Sequence, residues 1–314
     1  MTLTIGVDVG GTKIAAGLVD EKGQVLAKER TESPAKHPAE IVRTIGGLVE
    51  RLGRGQDVEA VGVSAAGFVD KKRATVLFAP NLAWRDEPLK ELLEEETGLP
   101  VIVENDANAA AWGEFTFGAG ADIDDLLMLT IGTGVGGGVV LDGELMRGGF
   151  GIGAEVGHIR MVPEGVPCGC GNLGCLESYA SGRALVRRSQ EEANAHPDRA
   201  AALIERVGGD VAKITGPHVT TAAQEGDPFA VARFAELGDW LGQGVATLTA
   251  VLDPTVVVIG GGVSEAGDLL LEPVRRSYAA NVTGHGHRPM LEIRQAQLGN
   301  AGGMIGVADL ARRR

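Results

Sequence analysis

The most specific group of reactive side chains in the sequence is a cluster of cysteines with a histidine upstream. His158 precedes the segment CGCGNLGC at 168–175 by ten residues, and this segment holds all three cysteines of the chain. Thiolate sulfur and imidazole nitrogen are ligands that Zn²⁺ prefers, and four of them complete a tetrahedral site. The spacing therefore predicts a structural zinc site, because four protein ligands leave no position for a reactive water. We expect this site to order the nearby Glu155 and Glu177. Its expected ligands are His158, Cys168, Cys170 and Cys175.

Three glycine-rich turns follow apolar segments, and such turns let backbone N–H groups approach a phosphate. They are DVGGTK at 8–13, TIGTGVG at 130–136 and GGGVS at 260–264. Asp8 is suited to the hydration shell of Mg²⁺, and Lys13 adds a positive donor. One such turn is equally well explained as an ordinary hairpin, and the Walker spacing is absent. The three together favour a nucleotide site.

A third group, Glu104-Asn105-Asp106, stands between an apolar strand and an alanine-rich stretch. This position is the entrance of a helix, where asparagine and aspartate are the preferred N-cap residues. The functional alternative is a general base that accepts a proton from an attacking hydroxyl, with Asn105 orienting the substrate. Both interpretations remain open here, because adjacent residues can divide the two roles.

Predicted strands alternate with predicted helices around these motifs, which indicates an α/β fold. The strands are Leu3–Val9, Ile14–Val19, Ala60–Val63, Val101–Val103, Leu126–Ile131, Val139–Leu141 and Val256–Ile259. The helices are Ala39–Leu52, Leu89–Glu96, Gly182–Ala195, Pro228–Leu252 and Ala301–Leu310. We expect a small α/β domain at 1–108 plus 301–314, and a larger one with the zinc site at 109–300.

Length and charge limit the class of protein. A chain of 314 residues is longer than most single cores, so two lobes are expected. The net charge of −13, from 29 basic and 42 acidic residues, opposes binding to nucleic acid or to an anionic membrane. The sequence shows neither a membrane-spanning run nor the pattern of a signal peptide. We therefore expect a cytoplasmic protein, and a reducing compartment agrees with the cysteine pattern.

The motifs occur in one order along the full length: DVGGTK at 8–13, ENDAN at 104–108, TIGTGVGGG at 130–138, EVGH at 155–158 and CGCGNLGCLE at 168–177. Together they resemble the ROK family (repressor, ORF, kinase), and within it the bacterial glucokinases. The resemblance implies a two-lobed α/β fold of the actin-like, ribonuclease-H type, with the active site in the cleft between the lobes. It also implies a homodimer or homotetramer.

The activity implied by the resemblance is ATP-dependent phosphorylation of glucose on its 6-hydroxyl, the first step of glycolysis, with catalytic Mg²⁺ and structural Zn²⁺. Asp106 would be the general base, and His158 would bind zinc through one ring nitrogen. The implied sugar contacts are Gly67, Asn81, Asn105, Asp106, Glu155, His158 and Glu177. The implied ATP contacts are Asp8, Gly10, Gly11, Thr12, Lys13, Thr133, Gly134, Gly260, Gly261 and Gly262.

Other classes of protein share part of this pattern. A repressor of the same family carries a winged helix-turn-helix before the first glycine turn, and the seven residues before Asp8 leave no room for one. ATPases of the actin and chaperone superfamily share the glycine turns but lack the cysteine segment. Kinases for mannose, fructose or N-acetylmannosamine share nearly the same motifs, and a sugar sensor without activity also remains open.

Overall fold

The structure is a computed structural model, and it describes residues 2–314. The chain forms two compact units. Unit 1 contains residues 2–128, 138–154 and 297–314, and unit 2 contains residues 129–137 and 155–296. Unit 1 is therefore built from three separate segments of the chain, the last of which is a helix.

The strands form two five-stranded sheets and one three-stranded sheet. In chain order they are β1 (Leu3–Val9), β2 (Lys13–Val19), β3 (Val25–Glu32), β4 (Val58–Ala65), β5 (Phe68–Val69), β6 (Val76–Phe78), β7 (Arg85–Glu87), β8 (Val101–Asn105), β9 (Leu126–Ile131), β10 (Val135–Leu141), β11 (Glu144–Leu145), β12 (Val256–Gly260) and β13 (Glu292–Gln295). The first sheet has the order β3-β2-β1-β4-β8, the second β11-β10-β9-β12-β13, and the small sheet β5-β6-β7. The two large sheets thus share one plan, a hairpin beside a central strand followed by two later strands.

The helices lie between these strands. In chain order they are α1 (Pro38–Gly53), α2 (Leu89–Thr97), α3 (Asp106–Phe117), α4 (Glu177–Ala180), α5 (Gly182–Ala195), α6 (Ala201–Arg206), α7 (Gly216–Gln224), α8 (Pro228–Leu252), α9 (Asp268–Asn281) and α10 (Gly302–Arg312). Single 3₁₀ turns span Val156–His158, Val211–Lys213, Gly262–Ala266 and Gly299–Ala301. The α/β class predicted from the alternation of elements is confirmed, and α5 and α8 have the predicted bounds.

The central strand β1 is covered on both faces. It pairs antiparallel with β2 and parallel with β4. Ile5 and Val7 belong to one buried cluster with Ile41 and Ile45 of α1. The intervening Gly6 points to the opposite face, because side chains alternate along a strand. There a Cβ atom would lie 1.9 Å from the carbonyl oxygen of Met304, in α10.

A row of glycines crosses the sheet beneath α10. Gly6 is paired in register with Gly17 of β2 and with Gly62 of β4. A Cβ atom at Gly62 would lie 2.0 Å from the carbonyl oxygen of Val307, and one at Gly17 would lie 2.7 Å from Sδ of Met304. The three missing side chains form a glycine groove (Gly17, Gly6, Gly62) into which the backbone of α10 packs.

The predicted domain boundary after residue 108 falls inside α3, and the structure places the whole of α3 in unit 1. The physical reason is packing, since α3 crosses α10 closely and a Cβ atom at Gly306 would lie 1.8 Å from the carbonyl oxygen of Ala109. The structure also assigns residues 138–154 to unit 1, a return of the chain that the prediction does not include.

Strand β10 begins at Val135, four residues before the predicted start of this strand at Val139, and so includes Gly136, Gly137 and Gly138. A glycine in a strand often marks a close backbone approach. At Gly138 the approach is that of α3, because a Cβ atom there would lie 2.4 Å from Cβ of Ala111.

None of the helices described in residues 2–314 is both long enough and apolar enough to cross a membrane.

Candidate active site and metal centre

The predicted general base stands at the junction of β8 and α3. Oδ1 of Asn105 accepts a hydrogen bond from the main-chain N–H of Asn108 at 3.0 Å, so Asn105 is the N-cap of α3. Asp106 is the first helical residue, and its Oδ1 accepts from the N–H of Ala107 at 3.0 Å. The N-cap interpretation of this motif therefore applies to Asn105. Asn105 caps the helix, and the Asp106 carboxylate lies where the helix dipole favours a negative charge.

Asp8 and Asp106 lie close together around Gly303. A Cβ atom at Gly303 would lie 3.9 Å from Oδ1 of Asp8 and 3.7 Å from the main-chain oxygen of Asp106. Ser64, at the end of β4, donates its hydroxyl to Oδ1 of Asp8 at 2.7 Å. Burial raises the pKa of Asp8 above its ordinary value, and the Ser64 hydrogen bond opposes this only in part. A half-buried carboxylate in this environment favours a cation as its partner.

Two further sugar candidates, Gly67 and Asn81, also belong to unit 1. The carbonyl oxygen of Gly67 accepts a hydrogen bond from Nδ2 of Asn105 at 3.1 Å. Asn81 packs on the first glycine turn, since a Cβ atom at Gly11 would lie 3.0 Å from its main-chain oxygen. Thr12 and Lys13 of that turn are exposed. The structure therefore groups Gly67 with the base motif and Asn81 with the first nucleotide motif.

The four predicted metal ligands come together in unit 2. Their donor atoms all lie within 4.8 Å of one another. Nδ1 of His158 lies 3.6 Å from Sγ of Cys168, and Sγ of Cys170 lies 3.7 Å from Sγ of Cys175. A tetrahedral zinc with Zn–S bonds of ~2.3 Å separates its ligands by about 3.7 Å. The spacing of the donors therefore fits one such ion.

The electrostatics of the cysteines agree with a cation at this position. Burial and the neighbouring thiols raise the pKa of Cys175 to about 12. Several thiolates cannot lie this close together without a positive charge to balance them. A divalent ion supplies that charge and deprotonates its thiol ligands.

The two ring nitrogens of His158 face different groups. Nδ1 points to the cysteine cluster, while Nε2 lies 4.0 Å from Oε2 of Glu155. Burial raises the pKa of Glu155, the charge of Glu177 raises it further, and His158 opposes the shift. A carboxylate on the second nitrogen of a metal-bound histidine orients the ring. At 4.0 Å the Glu155 carboxylate lies near this nitrogen but beyond hydrogen-bond distance.

Glu177 connects the cysteine cluster to the second glycine turn. Its Oε2 accepts the main-chain N–H of Val135 at 3.1 Å, and its Oε1 lies 3.7 Å from Sγ of Cys168. Arg183 binds Oε1 of Glu177 and the main-chain oxygen of Thr133, both at 3.1 Å. In this structure Glu177 therefore holds the Thr133–Val135 turn as well as lying beside the metal ligands.

The third glycine turn packs against the second. Gly261 has a φ of 85°, and a Cβ atom there would lie 2.5 Å from the carbonyl oxygen of Ile131. The N–H of Gly182 donates to the carbonyl oxygen of Gly132 at 2.8 Å. Residues 132–136 and 260–262 are thus neighbouring glycine-rich segments of unit 2.

The predicted site residues are distributed over both units. Unit 1 holds one set: Asp8, Gly10, Gly11, Thr12, Lys13, Gly67, Asn81, Asn105 and Asp106. Unit 2 holds the other: Thr133, Gly134, Glu155, His158, Cys168, Cys170, Cys175, Glu177, Gly260, Gly261 and Gly262. Sequence reasoning missed Ser64 and Arg183, which hold members of these sets in place. Ser64 carries a weak signal, because it is a polar residue in the otherwise apolar, buried part of β4, residues 60–65.

The ROK family model matches residues 4–314. The chain belongs to the ROK family. Its relatives in this family include a glucokinase of Streptomyces coelicolor, which is 51% identical over 312 residues covering 99% of this chain and 98% of the relative.

Two solved structures of ROK proteins have the same fold. The crystal structure of a ROK family glucokinase from Streptomyces griseus, in complex with glucose and AMPPNP, is 53% identical with a TM-score of 0.89 and covers 99% of this chain and 100% of that one. The crystal structure of a ROK hexokinase from Thermus thermophilus is 36% identical with a TM-score of 0.80, and the match covers 99% of this chain and 98% of that one. This ROK protein therefore has the actin-like α/β fold that its motifs predict.

Proposed function

We propose that this ROK protein is a glucokinase, which transfers a phosphoryl group from ATP to the 6-hydroxyl of glucose. The observation that carries the proposal is its likeness, over the full length of both chains, to a glucokinase whose crystal structure contains glucose and an ATP analogue. The arrangement of Asp8, Asp106 and the glycine turns within their units supports the same reaction.

Asp106 is the general base in this proposal. Phosphoryl transfer needs alignment of the attacking hydroxyl with the phosphate and balance of charge, with little covalent chemistry from the protein. The Asp106 carboxylate would accept the proton of the 6-hydroxyl as the oxygen attacks. Asn105, fixed by its hydrogen bonds to Asn108 and Gly67, would orient the sugar beside it.

The remaining sugar contacts are proposed from both units. Gly67 and Asn81 would contribute from unit 1, and Glu155, His158 and Glu177 from unit 2. A carboxylate can accept a hydrogen bond from a sugar hydroxyl, and an imidazole can donate to one or accept from one. The proximity of His158 and Glu155 supports this assignment, since it brings two of the proposed contacts together.

The proposed contacts to ATP are the three glycine turns. Asp8, Gly10, Gly11, Thr12 and Lys13 form one part, and Thr133, Gly134, Gly260, Gly261 and Gly262 form the other. Asp8 is the residue that would hold Mg²⁺, because its carboxylate is half-buried and is hydrogen-bonded by the neutral hydroxyl of Ser64. Mg²⁺ at such a site neutralises charge on the phosphates.

The Cys₃His cluster is proposed as a structural zinc site. His158, Cys168, Cys170 and Cys175 fill all four positions of a tetrahedral ion, so the ion would hold residues and not react itself. Through His158 and Glu177 the cluster would fix two sugar contacts and the Thr133 turn. We also propose a cytoplasmic homodimer or homotetramer that binds neither nucleic acid nor membranes.

A comparison of Asp106→Asn with a matched variant tests the assignment of the base. General-base catalysis contributes about 10² to 10⁴ in rate, so Asp106→Asn is expected to lower kcat by that factor while calorimetric affinity for glucose stays within a few fold. Asp268→Asn makes the same change at the first residue of another helix, α9, and is expected to keep normal turnover. Near-normal kcat in Asp106→Asn would overturn the assignment.

A panel of sugars tests the substrate. Phosphorylation with ATP and Mg²⁺ is measured for glucose, mannose, fructose and N-acetylmannosamine. We expect the highest kcat/KM for glucose. A higher value for another sugar would make the protein a different hexose kinase, and turnover of none of them would leave a sugar sensor as the better description.

A further inference from the structure

Glu104 is fully buried, with 0% of its side chain exposed, and it directly precedes the proposed base motif. Its Oε1 accepts hydrogen bonds from the main-chain N–H of Asn105 at 2.9 Å and from Nδ2 of Asn108 at 3.2 Å. Its Oε2 lies 2.9 Å from Nε of Arg73 and 2.8 Å from Nε of Arg147. One carboxylate thus connects the end of β8 and the first turn of α3 to two arginines.

Arg147, the largely buried partner of Glu104, also holds the segment 147–153. Its side chain is 9% exposed, and it donates to the main-chain oxygens of Lys71 and Asp70, each at 2.9 Å. Its own carbonyl oxygen accepts the N–H of Gly153 at 3.0 Å. Residues 147–153 are therefore held as a closed loop on the turn between β5 and β6.

The glycines of this loop make the attachment tight. Gly151 has a φ of 90°, and a Cβ atom there would lie 2.5 Å from the main-chain nitrogen of Lys71. The chain leaves unit 1 at Ala154, and the next residue is Glu155, a proposed sugar contact. The loop held by Arg147 therefore ends where the sugar-binding segment of unit 2 begins.

We propose that the Glu104–Arg147 ion pair positions the sugar for phosphoryl transfer by fixing the strand end that carries Asn105 and Asp106 and the loop that leads into Glu155. The inference rests on the proposed glucokinase function and goes beyond its assigned residues. Glu104 and Arg147 are positioning residues, because they act through Asn105, Asp106 and Glu155.

Stability alone is a poor explanation of this arrangement. A buried ion pair often contributes little to net stability, since removing two charges from water offsets their attraction. Glu104 has a second cation in Arg73, which is 27% exposed and can remain hydrated without its partner. The contacts specific to Arg147 are those to the loop and the β5–β6 turn, and these contacts set geometry.

Arg147→Met tests the proposal while Arg73 still balances the charge of Glu104. Because displacement by ~1 Å can reduce a rate about 10²-fold, we expect kcat to fall about 10-fold to 100-fold and KM for glucose to rise, with KM for ATP within about twofold. Arg51→Met is the matched control, since Arg51 pairs with Glu29 through the same atoms at 2.8 Å on the surface. The control is expected to match the wild type in all three parameters.

A double variant separates positioning from folding. Glu104→Gln alone leaves Arg147 buried without a countercharge, so its unfolding midpoint is expected to fall. Glu104→Gln combined with Arg147→Met removes that charge and is expected to recover the midpoint while kcat remains as low as in Arg147→Met. If the double variant recovers kcat together with the midpoint, the proposal is wrong. It is also wrong if Arg147→Met raises KM for glucose and for ATP equally, or leaves the kinetics unchanged. If the wild-type protein phosphorylates no sugar, the proposed function itself fails, and the positioning role fails with it.

Discussion

Replacing Gly306 with alanine is expected to separate α10 from α3. The added Cβ would lie 1.8 Å from the carbonyl oxygen of Ala109 and 2.7 Å from the main-chain nitrogen of Gly113. Both neighbours are backbone atoms inside a helix, so neither can rotate away as a side chain would. One of the two helices must shift, and the glycine groove holds α10 on its other side.

The size of the effect follows from these distances. A carbon and an oxygen in contact need ~3.2 Å or more, so relief requires a backbone displacement of more than about 1 Å in a close-packed interior. Overpacking of this kind typically lowers the free energy of unfolding by about 1–3 kcal/mol, and occasionally by more. Because the neighbouring atoms are rigid backbone, we expect a loss of about 3 kcal/mol for Gly306→Ala. The gain of roughly 1 kcal/mol from helix propensity leaves a net loss of about 2 kcal/mol. For a domain of this size that is a fall in Tm of about 4–8 °C.

Thermal unfolding followed by circular dichroism measures this change. Gly303→Ala is the matched control, because Gly303 lies one turn earlier in α10 and its Cβ would meet its nearest atoms at 3.7 Å, an ordinary contact. The control is expected to unfold at or slightly above the wild-type temperature. If Gly306→Ala also unfolds within a degree of the wild type, the argument from rigid backbone packing is wrong.

Two further predictions concern charge and metal. Asp8→Asn is expected to raise the Tm of the ligand-free protein at neutral pH and to reduce turnover with Mg-ATP. Because burial raises the pKa of Asp8 in the folded protein, the charged carboxylate destabilises the wild type at pH values above that pKa. The gain in Tm of the variant should therefore disappear as the pH falls toward the ordinary value of 3.8. A gain in Tm that does not depend on pH would contradict this cause. Dialysis against a strong chelator is expected to release about one zinc per chain and to weaken calorimetric binding of glucose. Cys168→Ser should do the same without chelator, and glucose binding unaffected by either change would remove the proposed link between the cluster and the sugar.

The long and buried elements could be predicted from the sequence because their signals are local. Strand β1 is almost entirely apolar, and α8 runs for 25 residues from an Asp227 N-cap, so both were predicted with their bounds. Strand β13 has one buried residue, Ile293, and α9 contains Pro273, so neither has a clear pattern. These elements form because the neighbouring strand β12 and helix α8 provide a surface for them.

The same distinction applies to the candidate site. The candidate metal ligands and the candidate base motif lie within short segments whose residue types indicate them. The partners of Asp8 and Glu104 lie far from them in the sequence. Ser64 is 56 positions from Asp8, and Arg73 is 31 positions from Glu104. Such pairs depend on which strand ends become neighbours, and periodicity in one segment carries no information about that.

The glycine groove also affects the order in which the protein can be completed during synthesis. Its three strands are made within the first 65 residues, but α10, which fills the groove, begins only at Gly302. About 170 residues separate the first segment of unit 1 from the last, and at ~5–20 residues per second a ribosome needs roughly 10 to 30 s to make them. Throughout that interval the sheet has one face without its helix, and unfilled apolar surface of this kind is prone to aggregate. A nascent chain arrested before Gly302 would remain in this state even though every strand of the first sheet had already been translated.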